Sequence, residues 1–415
     1  MRVRKWVSAL LVAPLLVPVA ACGGGADASG SSDAGAATAA LVIWADDKRA
    51  PAMKQAADRF KQETGVAVDV QVVSKDLQAN FVTASQAGKG PDLVLGAHDW
   101  IGNLVQNGAI DPIQLVEQKR KAFDPLAIKG VTFNGQTYGI PFAVENVVLF
   151  RNTDLVPEAP GTLDELVAKG KELKAAGRVS EIMALPVGQN GDAYHGYPLF
   201  TSAGGYLFGV KPNGDYDPKD LGLAKASAAQ AMEKISALGE KGEGALKRSI
   251  SVDNAASLFT GRKTAFLLSG PWQIAEIKKS GMKYDISPIP GFAGGKPARP
   301  FVGVQAMYVA TKAKNKTLAQ EFATNFFTQP DVAVALYEAD PRPAALIEAF
   351  DRLKATDPDM EKVLSAGKGG DIMPAIPEMN TIWDPFGKAE AAVIGGAPPT
   401  STVKAAAAAI QAQIK

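Results

Sequence analysis

Cysteine and histidine are nearly missing from this chain: one cysteine and two histidines in 415 residues. Without a second cysteine there is no internal disulfide, so the fold must rest on its own apolar core. His98 and His195 are far apart in sequence, and neither has a second ligand at metal spacing, which argues against a metal centre. There is no G-x-S-x-G elbow, no Gly-Lys-Ser/Thr phosphate loop and no G-x-G-x-x-G turn. Nucleophilic acyl transfer and nucleotide binding therefore have no local motif, and no cofactor is expected. Surplus charge is absent too. The formal balance is +1, and it turns slightly negative once Arg2, Arg4 and Lys5 at the N-terminus are set aside. With no block of basic residues, nucleic acid is not an expected partner. No short period repeats along the chain, which excludes a solenoid. What remains is ordinary globular material, 47% hydrophobic and 21% charged, enough for two or three domains.

The first forty residues stand apart. Arg2, Arg4 and Lys5 precede an apolar stretch over residues 7–21, too short to span a bilayer and interrupted by Pro14 and Pro18. It ends in "VAAC" at residues 19–22, similar to the bacterial lipobox, in which the cysteine is lipidated and becomes the first residue after cleavage. Residues 1–21 are thus expected to be a lipoprotein signal peptide. Residues 22–39, Gly, Ala, Ser and Asp without apolar periodicity, are expected to form a flexible tether from a lipid on Cys22.

Beyond residue 40 the pattern is alternating. Leu41 to Trp44 reads as a strand, and Met53, Ala56, Ala57 and Phe60 mark one helical face with Gly65 as its stop. Val66, Val68, Val70 and Val72 alternate as a second strand, residues 76–87 form another amphipathic segment, and Leu93-Val94-Leu95 is a buried run. This β-α-β-α-β order predicts parallel strands with crossover helices. A strand over 264–268 followed by a helix over 273–279 extends the pattern, with further helices over 163–176, 223–238 and 318–327. The expected fold is α/β, in two lobes, each a mainly parallel sheet flanked by helices.

Four tryptophans lie beyond the signal segment, and all fall at element edges: Trp44, Trp100, Trp272 and Trp383. Carboxylates accompany them. Asp46 and Asp47 follow Trp44, Asp99 precedes Trp100, and Asp384 follows Trp383. Taken singly, each acid suits a cap or turn as well as a site. Glu145 differs, because it interrupts the apolar "IPFAVENVVLF" over residues 140–150 and would need a partner if buried. Indoles beside carboxylates suit a neutral polyhydroxylated ligand. A pyranose packs its C–H face on an aromatic ring, and a carboxylate accepts vicinal hydroxyls through charge-assisted bonds.

At "LVIWADDKRAP", "FKQETGVAVDVQ", "GPDLVLGAHDWIG", "YGIPFAVENVVLFRN", "YPLFTSAGGYLF", "SGPWQIAEI", "PFVGVQAMYV" and "IMPAIPEMNTIW" the chain resembles the maltose/maltodextrin-binding proteins of ABC importers. The segments follow that family's order over nearly the whole chain past residue 40. The resemblance implies the two-lobed periplasmic-binding-protein fold of type II. One lobe would comprise residues 40–144 with 307–352, the other 149–301 with 355–415, with hinge crossings near 145–148, 302–306 and 353–354. It implies sugar contacts from Asp46, Asp47 and Lys48, from Ala97, Asp99 and Trp100, from Glu145, and from Asp192 and Tyr194. Trp272 and Trp383 would be stacking indoles, with Met373 and Asp384 beside them. The chain departs from the better-known members at Gly96, where they carry tryptophan, at Trp100, where they carry arginine, and at Asp384, where they carry an aromatic. An arginine near Gly387 is also absent, with Lys388 one place on. Trp100 offers an indole in place of the one lost at Gly96.

The implied protein is a non-catalytic monomer, lipid-anchored on the outer face of the cell membrane. It would capture maltose or maltodextrin and pass it to a membrane ABC permease. The rivals are a binding protein for another α-glucoside or oligosaccharide, such as trehalose, and an extracellular glycosidase using a carboxylate pair such as Glu145 and Asp192.

Overall fold

Pro51 in the first turn and Gly65 at the end bracket the first helix, and both do what their backbones allow. The computed structural model describes residues 40–414, so the signal segment, Cys22 and the tether lie outside the described residues. Strand β1 (Leu41–Ala45) buries Leu41, Ile43 and Ala45 completely. Helix α1 (Ala50–Thr64) lays Met53, Ala56, Ala57 and Phe60 on the same core. Gly65 closes it at φ 77°, a left-handed conformation that costs glycine nothing, with its N–H on the Lys61 carbonyl at 2.8 Å. Strand β2 (Val68–Val72) pairs with β1 in parallel, Leu41 opposite Val68. It is the edge of its sheet, so the alternating valines are only partly covered: Val70 is buried while Val72 is 46% exposed. Helix α2 (Leu77–Gln86) leads to β3 (Leu93–Ala97), also parallel to β1.

Strand β3 runs two residues past its apolar stretch because Gly96 and Ala97 pair with a distant strand. The intervening strands are a short hairpin, β4 (Thr132–Phe133) with β5 (Gln136–Thr137), then β6 (Gly139–Asn146) and β7 (Val148–Asn152). A second hairpin, β8 (Phe208–Val210) with β9 (Tyr216–Leu221), precedes β10 (Phe266–Ser269), β11 (Tyr284–Ser287), β12 (Phe301–Val309) and β13 (Asp371–Ile372). The first sheet has the order β13-β12-β3-β1-β2, with β6 also on β12. Strand β12 opposes β3, Gln305 facing Ala97, and opposes β6, Gly303 facing Glu145.

The second sheet corrects the expectation of two mainly parallel sheets. Its order is β10-β7-β11, and both outer strands run antiparallel to β7. The strand and helix expected over 264–268 and 273–279 are present as β10 and the helix Ile274–Lys279, and β11 beyond them points the same way as β10. Strand β7 arrives directly from β6 through Val147 alone and slots between them in the opposite sense.

The apolar residues form separate cores. One joins residues 41–144 with 302–353, including Phe81, Tyr308 and Phe322. A second joins 147–301 with 373–410, including Phe200, Phe266 and Phe386. A third, on the other face of β7, joins Phe150, Phe259 and Leu267 to Met360 and Val363. Each fully buried large side chain contributes about 1.5–3 kcal/mol, so both sheets carry their own source of stability.

Candidate functional site

The strand ends converge on a cavity of about 520 Å³. A larger hollow of about 630 Å³ near Lys121, Leu346 and Asp351 holds no indole and lies elsewhere on the molecule. The first wall of the smaller cavity is built at the end of β3. The chain passes from Ala97 into a 3₁₀ turn, His98–Trp100, followed by α3 (Ile101–Gln106). His98 is fully buried: its Nδ1 accepts the Val304 N–H at 3.0 Å, so its Nε2 carries the hydrogen given to the Met373 carbonyl at 3.0 Å. Burial lowers its pKa to about 4, so it is a neutral brace and not a ligand group. Its partners are distant backbone, not its own loop.

Asp99, the next residue, lines the cavity while only 5% exposed. Burial raises its pKa to about 7, with the Trp383 indole N–H working against that rise. The fold thus favours the protonated carboxyl. The stability this brings is full below the unfolded pKa near 3.9 and is lost as pH rises through about 7. Asp99→Asn, which keeps an acceptor for Trp383, is therefore expected to unfold several degrees above the parent at alkaline pH. The two melting curves should converge in acid; a gap that stays constant with pH would show that Asp99 does not titrate in this window.

Trp100 lies flat on Gly96. A Cβ at position 96 would sit 2.2 Å from Trp100 Cζ3, so the indole occupies the space a side chain there would fill. The same device recurs on the opposite wall, where a Cβ on Gly270 would meet Trp272 Cη2 at 2.1 Å. Trp100→Ala and Gly96→Ala, the second by evicting the indole, are both expected to weaken ligand binding in this cavity by about tenfold, the worth of one aromatic contact. If Trp100→Ala binds as the parent does, the indole serves only to pack on its neighbouring core.

Glu145, near the end of β6, is buried and lines the cavity. Its Oε1 accepts the Gln305 side-chain N–H at 2.8 Å, and its Oε2 pairs with the Arg342 guanidinium. Burial pushes its pKa up, but Arg342, Arg49 and Gln305 outweigh that and hold it below the usual carboxylate range. Tyr194 and His195 come from the helix Ala193–Ser202. The Tyr194 ring leans on Trp272 at 6.1 Å and stacks on Phe301 at 6.2 Å. Among the described residues no protein group bonds its buried hydroxyl. His195 stands edge-on to Trp272 at 5.8 Å, and its Nε2 is 3.5 Å from Ser269 Oγ.

Nine of the sequence-derived residues meet here: Lys48, Ala97, Asp99, Trp100, Glu145, Tyr194, Trp272, Met373 and Trp383. Four do not. Asp46 holds the turn ahead of the first helix, accepting the N–H of Lys48 and of Arg49 at 3.0 Å and pairing with the Arg49 guanidinium at 2.8 Å. Asp47 is exposed and outside the cavity lining. Asp192 caps the helix Ala193–Ser202: its oxygens take the His195 N–H at 3.0 Å and His195 Nδ1 at 2.8 Å. Asp384 is 71% exposed and paired with Lys388 one turn on, a surface contact of little weight. Trp44 also stays out of the cavity, bonding Gln71 across the edge of the first sheet at 2.9 Å.

Three lining residues escaped the sequence reading: His195, Val252 and Arg342. His195 was legible as the neighbour of Tyr194 on one helical turn. Val252 and Arg342 carried no local signal.

The family described as bacterial extracellular solute-binding protein matches residues 55–362. A galactooligosaccharide-binding protein of Bacillus subtilis is 29% identical over 98% of this chain and 96% of its own. A maltotriose-binding protein of Pyrococcus abyssi is 28% identical over 76% of this chain and 69% of its own. A maltooligosaccharide ABC transporter solute-binding lipoprotein of Streptococcus pneumoniae is 26% identical, covering 83% and 81% respectively.

Proposed function

Because this chain belongs to the bacterial extracellular solute-binding proteins, we propose that it captures a neutral oligosaccharide of the maltodextrin class for an ABC permease. The observation that carries this is the convergence of Trp100, Trp272 and Trp383 with Asp99 and Glu145 on one cavity. Flat apolar faces and acceptors at that density suit pyranose rings. The relatives named for maltotriose and maltooligosaccharides point the same way. Micromolar affinity, about −8 kcal/mol, is within reach of such a set.

The cavity is the cleft of a two-lobed molecule in this reading. Residues 40–144 with 307–352 would form one lobe, and 149–301 with 355–415 the other, a division that the interleaved apolar cores support in outline. Two hinge crossings run near 145–148 and 302–306. The remaining crossing is read near 353–354, which is supported by Leu353 packing in the first core and Met360 in the third. Sugar binding closes the lobes by shifting a pre-existing equilibrium.

A second reading, a galactooligosaccharide in place of a maltodextrin, is favoured by the relative of that name, which matches almost end to end. The exchange of indole from Gly96 to Trp100 is the kind of change that would reshape the site for a different linkage. A glycosidase fits less well, because its carboxylate pair is not assembled: both oxygens of Asp192 are occupied by His195. Calorimetry with maltotriose, maltoheptaose, trehalose and galactotriose tests these readings together. Preference for the two maltodextrins supports the first, preference for galactotriose the second, and shortened products from maltoheptaose would establish the enzyme.

Export and anchoring belong to the same proposal: a monomer held by lipid on Cys22 at the outer face of the membrane, within reach of its permease. Cys22→Ser is expected to move the protein from the membrane fraction into the medium. Undiminished membrane association would remove the anchor from the proposal.

A further inference from the structure

Arg342 sits between two prolines, in "DPRPAA" over residues 340–345. Flanking prolines hold a segment extended, and this one runs beside β6. Ala344 bridges Ala143 in antiparallel register, and the Pro343 carbonyl accepts the Val144 N–H at 2.8 Å. That register puts residue 342 directly opposite Glu145. The guanidinium contacts Glu145 Oε2 on one side and Asp340 on the other, and its centre lies 5.6 Å from the Trp272 ring. It thus touches a carboxylate borne by the first sheet and an indole that follows the second.

We propose that Arg342 is a positioning residue of the binding site, fixing the charge and aim of Glu145 while steadying the ring of Trp272. The inference rests on reading the cavity as an oligosaccharide site, and it adds a residue that would act through two others. A guanidinium suits this place because its planar fork serves a carboxylate at one edge while its face lies against an aromatic ring. Lysine would supply the charge without that geometry.

Several polar, charged or titratable groups surround Glu145. Gln305 comes from β12, Asp340 and Arg342 from the proline segment, and Arg49, paired with Asp46, from the start of α1. Asp99, His98 and Tyr194 also couple to its charge from the end of β3 and from the helix Ala193–Ser202. Arg342 is foremost among the groups that favour the ionised form. With arginine gone, burial prevails and Glu145 takes up a proton at higher pH. Asp99 titrates in the same window and is itself coupled to Glu145, so the double variant, in which residue 145 cannot titrate, isolates the Glu145 effect.

The test uses the full chain with Arg342→Gln, Arg342→Lys, and Arg342→Gln combined with Glu145→Gln. Melting temperature without sugar and calorimetric affinity for maltotriose are followed between about pH 5 and pH 8. Arg342→Gln is expected to bind about tenfold more weakly than the parent at the alkaline end, as for loss of one charge-assisted contact. Its affinity deficit should widen as pH falls, because Glu145 becomes protonated. Its stability deficit should shrink over the same range, because a protonated Glu145 no longer buries an unpaired charge. Arg342→Lys should keep the parent's pH profile, and the double variant should lose the pH-dependent divergence. Parallel profiles in parent and Arg342→Gln, for both melting and affinity, would overturn the proposal and leave Arg342 a packing residue. If the parent binds no oligosaccharide the sugar reading falls, and the sugar-free melting series still decides whether Arg342 sets the charge of Glu145.

Discussion

Trp272→Ala is expected to lower oligosaccharide affinity about fifty- to a hundredfold while leaving the melting temperature close to the parent's. The reason lies in what the indole does not touch. Trp44 and Trp100 pack against the first core and Trp383 against the second, whereas Trp272 belongs to none of the apolar clusters. It follows β10 in a 3₁₀ turn, Pro271–Gln273, and rests on the bare backbone of Gly270. Its neighbours are cavity groups: Tyr194, His195 and Arg342. A large apolar ring that lines a cavity without joining a core has its contacts to gain from a ligand. An enclosed aromatic side chain buries about 150–250 Å². Covering one face removes about 100 Å² from water, worth about 2.5 kcal/mol at 25 cal/mol per Å². Trp383→Ala serves as the contrast. It should cost both affinity and stability, since that indole also packs on the second core and helps hold the Asp99 carboxyl. Calorimetry and thermal melting on the same samples separate the two. A Trp272→Ala protein with a depressed melting point and unaltered affinity would mark the ring as structural.

The sequence made one part of this arrangement legible and hid another, and the division follows the range of the forces involved. Gly65 as a helix stop, the strand at Leu93, and indoles at strand ends are local facts, written within a few residues of where they act. Roles decided by a partner far along the chain were not readable. Asp46 and Asp47 are equivalent as letters, yet Asp46 ties the turn at Lys48 and Arg49 while Asp47 stays in solvent. Asp192, expected to contact sugar, lies outside the cavity lining and caps the helix that carries His195, the residue that does face the cavity. The sense of β7 was hidden because a single residue, Val147, carries the chain from one sheet into the other. Arg342 was the least accessible: nearly two hundred residues separate it from Glu145, and only the Ala143–Ala344 bridge brings them face to face.

Glu145→Ala is expected to reduce affinity by about tenfold or more, and here, unlike at Trp272, a loss of stability is expected with it. A charge-assisted hydrogen bond contributes about 1.5–3 kcal/mol, and each carboxylate oxygen keeps a lone pair for a ligand hydroxyl after bonding Gln305 or Arg342. Deleting the carboxylate removes that acceptor and also strands a buried guanidinium, whose remaining counter-charge is Asp340. Breaking one side of a buried ion pair costs about 3–5 kcal/mol, so the alanine variant should melt well below the parent. Glu145→Gln separates the two losses, because the amide preserves shape and one acceptor but not charge. The sign with pH follows from the direction of the shift. Glu145 is held below the ordinary carboxylate range, so the stability its ion pair confers is present at neutral pH. That stability is lost as pH falls through the folded-state value. The melting gap between parent and Glu145→Gln should therefore be widest near neutrality and close in strong acid. An amide variant that binds maltotriose as tightly as the parent would take the carboxylate out of sugar recognition and leave it as the anchor of Arg342.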